Sequence, residues 1–132
     1  DGVADVDLKQ LIAHHHEHGK IGTVTAVQPE GRFGLLDIES DSHVKYFNEK
    51  LSGDGGWING GFFVLKPEIF NYLPDNADQL MWEDYPLEKL TEDKQLSAYK
   101  HKGFWKCMDA IRDKFVLEQL WSSGQAKWKI WD

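Results

Sequence analysis

One cysteine, Cys107, is all that the 132 residues hold. No internal disulfide can staple this chain, and a reducing, cytoplasmic setting fits that usage. No apolar run approaches the roughly 18 residues that suggest a membrane-spanning helix, so no membrane span is expected. No secretory signal is visible at the amino terminus. Basic residues are in deficit: 15 Lys and Arg stand against 22 Asp and Glu, a formal net charge of −7. Non-specific nucleic-acid binding rests on clustered Lys and Arg, so nucleic acid is not an expected partner. Internal repeats and low-complexity linkers are also lacking, which favours one domain over residues 1–132. There is no initiator Met. The opening Asp1-Gly2-Val3-Ala4-Asp5 suggests a processed, truncated or excised segment.

What is present is the composition of a packed globular chain, with 41% hydrophobic and 13% aromatic residues, enough to build a core. Asp5 reads as the N-cap of a helix over residues 6–18 that stops at Gly19, with Leu8, Leu11, Ile12 and His15 on its buried face. Alternating β-branched residues predict a strand over 22–27. A loop follows at 29–34, then a hairpin of 35–38 with 44–47, and a flexible turn at 52–56. The apolar run 61–65 reads as a buried strand. Pro67 and Pro86 are placed to open helices, and 96–99 reads as a short strand. The longest helix is predicted over 109–121, with Ile111, Phe115, Leu117 and Leu120 as apolar positions and Gly124 as its stop. Strands mixed with helices indicate an α/β layer fold.

Several side chains could carry chemistry. His14-His15-His16-Glu17-His18 matches an inverted zinc-peptidase pattern, with His14 and His18 one turn apart. A solvent-facing helix end beside the macrodipole's negative pole accounts for it more simply. Cys107 is expected as a half-buried structural thiol, since no base is paired with it in sequence. Among the tryptophans, Trp121 fits a helix face, and Trp128 and Trp131 fit a docked tail. Trp105, expected in a loop, is the one placed near a ligand. Asp1 and Asp109, far apart in sequence, could share a hard cation such as Mg2+, which takes carboxylate oxygens and keeps several waters. A plain helix cap is the alternative role for Asp109. Lys50, in Glu49-Lys50, and Arg32 are cationic candidates for a phosphate. Asn59-Gly60-Gly61 combines a side-chain amide with a backbone open to close approach.

In order along the chain, these candidates form a pattern. Asp1-Gly2-Val3-Ala4-Asp5 resembles the end of an aromatic-Gly-Asp-Gly motif. Gly31-Arg32-Phe33-Gly34 followed by Leu35-Leu36-Asp37-Ile38 resembles a sugar-side loop. Glu49-Lys50 is similar to a Glu-Lys-Pro motif, with Leu51 in place of the proline. Trp57-Ile58-Asn59-Gly60-Gly61-Phe62-Phe63-Val64, Trp82-Glu83-Asp84-Tyr85-Pro86-Leu87, Gly103-Phe104-Trp105 through Asp109, and the tail from Trp121 to Trp131 complete it. The whole resembles the carboxyl-terminal half of the sugar-phosphate nucleotidyltransferases, most closely their cytidylyltransferase branch. The amino-terminal nucleotide loop of that family, Gly-Gly-x-Gly-Thr-Arg, has no counterpart here.

The resemblance implies a partial Rossmann-like, GT-A-like α/β layer fold, a mixed sheet with flanking helices. It implies Mg2+ held by Asp1 and Asp109, with Asp1, Asp109 and Lys50 as the catalytic set. Substrate contacts would come from Arg32, Gly34, Glu49, Lys50, Asn59, Gly60 and Trp105. The implied substrates are glucose 1-phosphate and CTP, the latter held mainly by the other half, and the products CDP-glucose and pyrophosphate. Homo-oligomer formation stays open. The alternative is a free-standing sugar-phosphate-binding or assembly module without transfer chemistry.

Overall fold

The computed structural model describes residues 1–29 and 56–132, together with the backbone of 35–38 and 44–48. The chain opens with strand β1 (Gly2–Ala4), then helix α1 (Leu8–His18) and strand β2 (Gly22–Val27). Strands β3 (Leu35–Ile38) and β4 (Val44–Asn48) form an antiparallel pair with a register shift after Asp37. Strand β5 (Ile58–Leu65), two 3-10 turns (Pro67–Tyr72 and Ala77–Gln79), helix α2 (Tyr85–Glu92) and strand β6 (Leu96–Lys100) follow. Strand β7 (Trp105–Cys107) and helix α3 (Ile111–Ser122) complete the order.

The described strands form a three-stranded sheet in the order β5-β2-β6, and two-stranded pairs β1-β7 and β3-β4. β2 runs antiparallel to β5 and parallel to β6. Side chains alternate across a strand, so β2 presents Thr23 and Thr25 to one face and Val24 and Ala26 to the other. α1 packs on the threonine face, where His15 meets Thr23 and His14 meets Ser97. On the opposite face a cavity of about 620 Å³ lies between the sheet and α2, lined by Val24, Ala26, Asn59, Leu87, Leu96 and Ala98 among others. This is the mixed, helix-flanked α/β arrangement expected. Among the described residues the buried apolar core comprises Val6, Leu11, Ala26, Val27, Ile69, Leu90 and Leu117.

Several sequence readings are corrected. α1 is capped by Asp7, whose side chain accepts from the backbone nitrogens of Lys9 (2.9 Å) and Gln10 (3.1 Å). Asp5 lies instead at the end of β1, where its carboxylate faces the His101 ring at 3.0 Å. Gly19 does terminate α1, at φ 68°. Leu11 and His15 are buried, but Leu8 and Ile12 are exposed. The run 61–65 belongs to a longer strand, paired along one edge with β2 and only half-buried at Phe62, Phe63 and Val64. Pro67 opens a 3-10 turn, not an α-helix. α3 begins two residues later than predicted and buries Leu117, while Ile111 and Phe115 stay exposed. Periodicity marks an apolar face but not what covers it, and Ile111 and Phe115 are 75% and 61% exposed. The turn 52–56 and the loop 29–34 fall largely outside the described residues.

Candidate functional site

The β1-β7 pair assembles the acids. Gly2, Val3 and Ala4 pair antiparallel with Cys107, Lys106 and Trp105, and the ladder is extended by a hydrogen bond from the Met108 nitrogen to the Asp1 carbonyl at 2.8 Å. Register thus brings Asp1 and Asp109, 108 positions apart, to one end of the pair. The Asp1 backbone nitrogen lies 3.5 Å from Asp109 Oδ1. Both side chains are open to solvent, 89% and 70% exposed. A carboxylate that reaches water can share a cation's shell with it, and both donors are the hard oxygens that Mg2+ takes. The pair fits that ion in donor chemistry. Among the described residues no cluster of three or more His, Cys, Asp or Glu side chains is gathered to hold a metal.

Asp109 is not the cap of α3. The N-cap is Ala110, which has no capping side chain. The end of the helix is closed by Asp113, whose Oδ2 accepts from the backbone nitrogens of Asp109 (3.2 Å) and Ala110 (3.0 Å). An acid at the third helical position reaching back to the cap nitrogen is half of a capping box. Asp113 was legible as an acid in a first turn, but a helix start placed at Asp109 hid its register.

Trp105 ties this end of the fold to β5. It sits on β7 rather than in a loop, and its indole nitrogen donates to the Gly60 carbonyl at 2.9 Å. β5 bulges there: Val24 pairs with Phe63 and Ala26 with Asn59, so β5 carries additional residues in between. Two glycines make the bulge feasible. Gly61 has φ 83°, and a Cβ on Gly60 would lie 2.8 Å from Val27 Cγ1 and 2.9 Å from the Thr25 carbonyl. Asn59 Oδ1 accepts from the Gly61 nitrogen at 2.8 Å, which fixes the amide beside the sheet-face cavity that it lines. The structure therefore joins Asn59, Gly60 and Trp105 in one connected group, and Asp1 with Asp109 in another, both attached to β7. Arg32, Gly34, Glu49 and Lys50 lie outside the described residues.

A second cavity, of about 610 Å³, runs along β7, lined by Asp5, Gln28, Lys102, Trp105, Lys106 and Lys127 among others. Phe104 stacks on Trp128 (5.6 Å, 27°), and Trp128 on Trp121 (6.4 Å, 26°). That stack docks the tail as far as Trp128, whereas Trp131 remains 57% exposed. Cys107 is half-buried on β7, as expected of a structural thiol.

His15 is buried as its place on the apolar face predicts, but the histidine segment as a whole is not the solvent-facing helix end expected. His14 and His18 are half-buried, and only His16 is exposed. Thr23 Oγ1 bonds His15 Nδ1 at 2.8 Å and His18 Nε2 at 2.6 Å. His18 Nδ1 accepts from the Lys20 backbone nitrogen at 3.0 Å, which leaves Nε2 to donate to the threonine. Burial lowers the pKa of His15 and of His18, and the neighbouring histidines and Lys66 lower both further. His15 and His18 thus form a packing network around Thr23, and among the described residues no three metal-ligating side chains gather at this segment.

The glucose-1-phosphate cytidylyltransferases of Salmonella typhi and Salmonella typhimurium are each 51% identical to the chain over 132 residues, covering 100% of this chain and 50% of their own length. The chain thus spans about half the length of these curated relatives. The crystal structure of HddC from Yersinia pseudotuberculosis superposes with a TM-score of 0.58 at 22% identity, covering 92% of this chain and 52% of that one, and shows the same fold. The nucleotidyl transferase family model matches residues 1–120, a span that runs from Asp1 through β7 and Asp109 to α3, and on that match the chain belongs to the nucleotidyl transferase family.

Proposed function

We propose that these residues form the carboxyl-terminal, sugar-phosphate-binding half of an enzyme that makes CDP-glucose and pyrophosphate from CTP and glucose 1-phosphate. The observation that carries the proposal is that the β1-β7 register brings Asp1 and Asp109 to one end of the strand pair, the Asp1 nitrogen 3.5 Å from Asp109 Oδ1, within a chain 51% identical to named glucose-1-phosphate cytidylyltransferases. In the reaction, a phosphate oxygen of glucose 1-phosphate attacks the α-phosphorus of CTP, and the bond to the departing pyrophosphate breaks. The attacking oxygen is already ionised near neutral pH, so positioning and charge neutralisation matter more than a general base. Asp1 and Asp109 would hold Mg2+, which when bound neutralises charge on phosphate oxygens. Lys50 would contact the sugar phosphate, and Arg32 would add a second positive charge. Glu49, Asn59 and Gly34 would orient the hexose hydroxyls. Gly60 and Trp105 hold the bulge beside Asn59. The nucleotide base would be read by the half that carries the Gly-Gly-x-Gly-Thr-Arg loop, and a cytoplasmic setting belongs to the same proposal.

Calorimetric titration of the chain with glucose 1-phosphate tests the sugar side. Binding should strengthen with Mg2+ and lose that dependence in Asp109→Ala. Affinity that ignores both Mg2+ and the substitution would remove Asp109 from the metal role. No binding under any condition would remove the sugar-phosphate role. CDP-glucose formation by this chain alone at more than a trace rate would show that no further half is needed.

A further inference from the structure

The Asp109 side chain is 70% exposed, so its own packing does little to fix where its carboxylate points. Its backbone is fixed instead. Asp113 is the one acid among the buried residues described, at 4% exposure. Its Oδ2 takes the Asp109 and Ala110 nitrogens, and its Oδ1 faces Lys106 Nζ at 3.6 Å. Lys106 belongs to β7, opposite Val3 of β1. One buried carboxylate therefore connects α3, the segment bearing Asp109, and the strand pair that delivers Asp1. A buried carboxylate is costly unless hydrogen-bonded and paired, so this arrangement has one strongly favoured geometry.

We propose that Asp113 is a positioning residue for the divalent cation: it locks the backbone at 109–110 so that the Asp109 carboxylate stays beside Asp1, with Lys106 anchoring it to β7. The proposal rests on the reading of Asp1 and Asp109 as metal ligands. Groups that orient metal ligands are typically worth about 10- to 100-fold in affinity, which sets the expected effect.

The test is Mn2+ binding to the chain, followed by the loss of the free-ion electron paramagnetic resonance signal, with circular dichroism reporting folding on the same samples. Asp113→Ala, measured while folded, should bind Mn2+ about 10- to 100-fold more weakly. Asp113→Asn, which keeps an acceptor oxygen for the two nitrogens, should recover part of that loss. Leu117→Ala weakens α3 without touching residues 109–110 and should leave the affinity unchanged. If Asp113→Ala does not fold, Asp113→Asn and Lys106→Met carry the test, each with weaker binding expected. Unchanged affinity in the folded Asp113 variants would overturn the proposal, as would an equal loss in Leu117→Ala. If the unsubstituted chain binds no Mn2+, or Asp109→Ala binds it equally well, the metal reading itself fails and the positioning role falls with it.

Discussion

Thr23 and Thr25 allow the same substitution to be made twice on one strand face with opposite expected results. Both are fully buried on β2. Thr23 Oγ1 serves His15 Nδ1 and His18 Nε2, whereas Thr25 Oγ1 has no hydrogen-bond partner among the described residues. Thr23→Val keeps the shape and strands two ring nitrogens, one buried and one half-buried. An abandoned buried polar group costs about 1–3 kcal/mol, and the half-buried nitrogen less, so a loss of about 2–4 kcal/mol is expected. Thr25→Val removes a hydroxyl that is already unpaired and adds a buried methyl, so stability should be unchanged or rise by up to about 1 kcal/mol. Urea titrations of the two variants, at pH 7.5 so that the histidines are neutral, measure the difference by linear extrapolation. Midpoints that coincide, or a Thr25→Val variant less stable than Thr23→Val, would refute the assignment of the histidine–threonine network as the tie between α1 and the sheet.

The same network gives a pH dependence. His15 and His18 have folded pKa values below 6.5 because burial disfavours the charged ring. The unfolded chain then binds more protons, and stability rises with pH through that interval. Their contribution is complete above about pH 6.5 and is lost as pH falls through the lowered folded values. Thermal melts between pH 7.5 and 5 should show a falling Tm that flattens in His15→Gln or His18→Gln, and an unchanged slope in both would contradict it. Gly60→Ala drives a Cβ to 2.8 Å from Val27 Cγ1 and 2.9 Å from the Thr25 carbonyl. It should cost about 1–3 kcal/mol by overpacking. Gly56→Ala meets nothing within 4 Å and should be neutral, so equal denaturant midpoints for the two would refute the close-approach account of the bulge.

Local chemistry was legible wherever a residue's own neighbours decide the outcome. The β-branched run over 22–27 became β2 with the predicted bounds, Gly19 ended α1 in a left-handed conformation, and 35–38, expected to pair with 44–47, pairs antiparallel with 44–48. These follow from backbone sterics and short-range pairing, which sequence encodes directly. The motifs from Asp1 to the Trp128 tail likewise identified the family. Helix starts were less legible, because Asp5, Asp7, Asp109 and Asp113 are all acceptable acids near a boundary. Asp7 and Asp113 cap through bonds to backbone nitrogens two to four residues away, whereas the long-range contact with His101 takes Asp5. The tertiary structure alone decided that β1 and β7 pair in a register that sets Asp1 beside Asp109, that Trp105 clamps the Gly60 bulge, and that His14 and His18 turn inward beside His15. Each depends on contacts between residues distant in the chain, and their registry follows from how the layers pack, not from any local propensity.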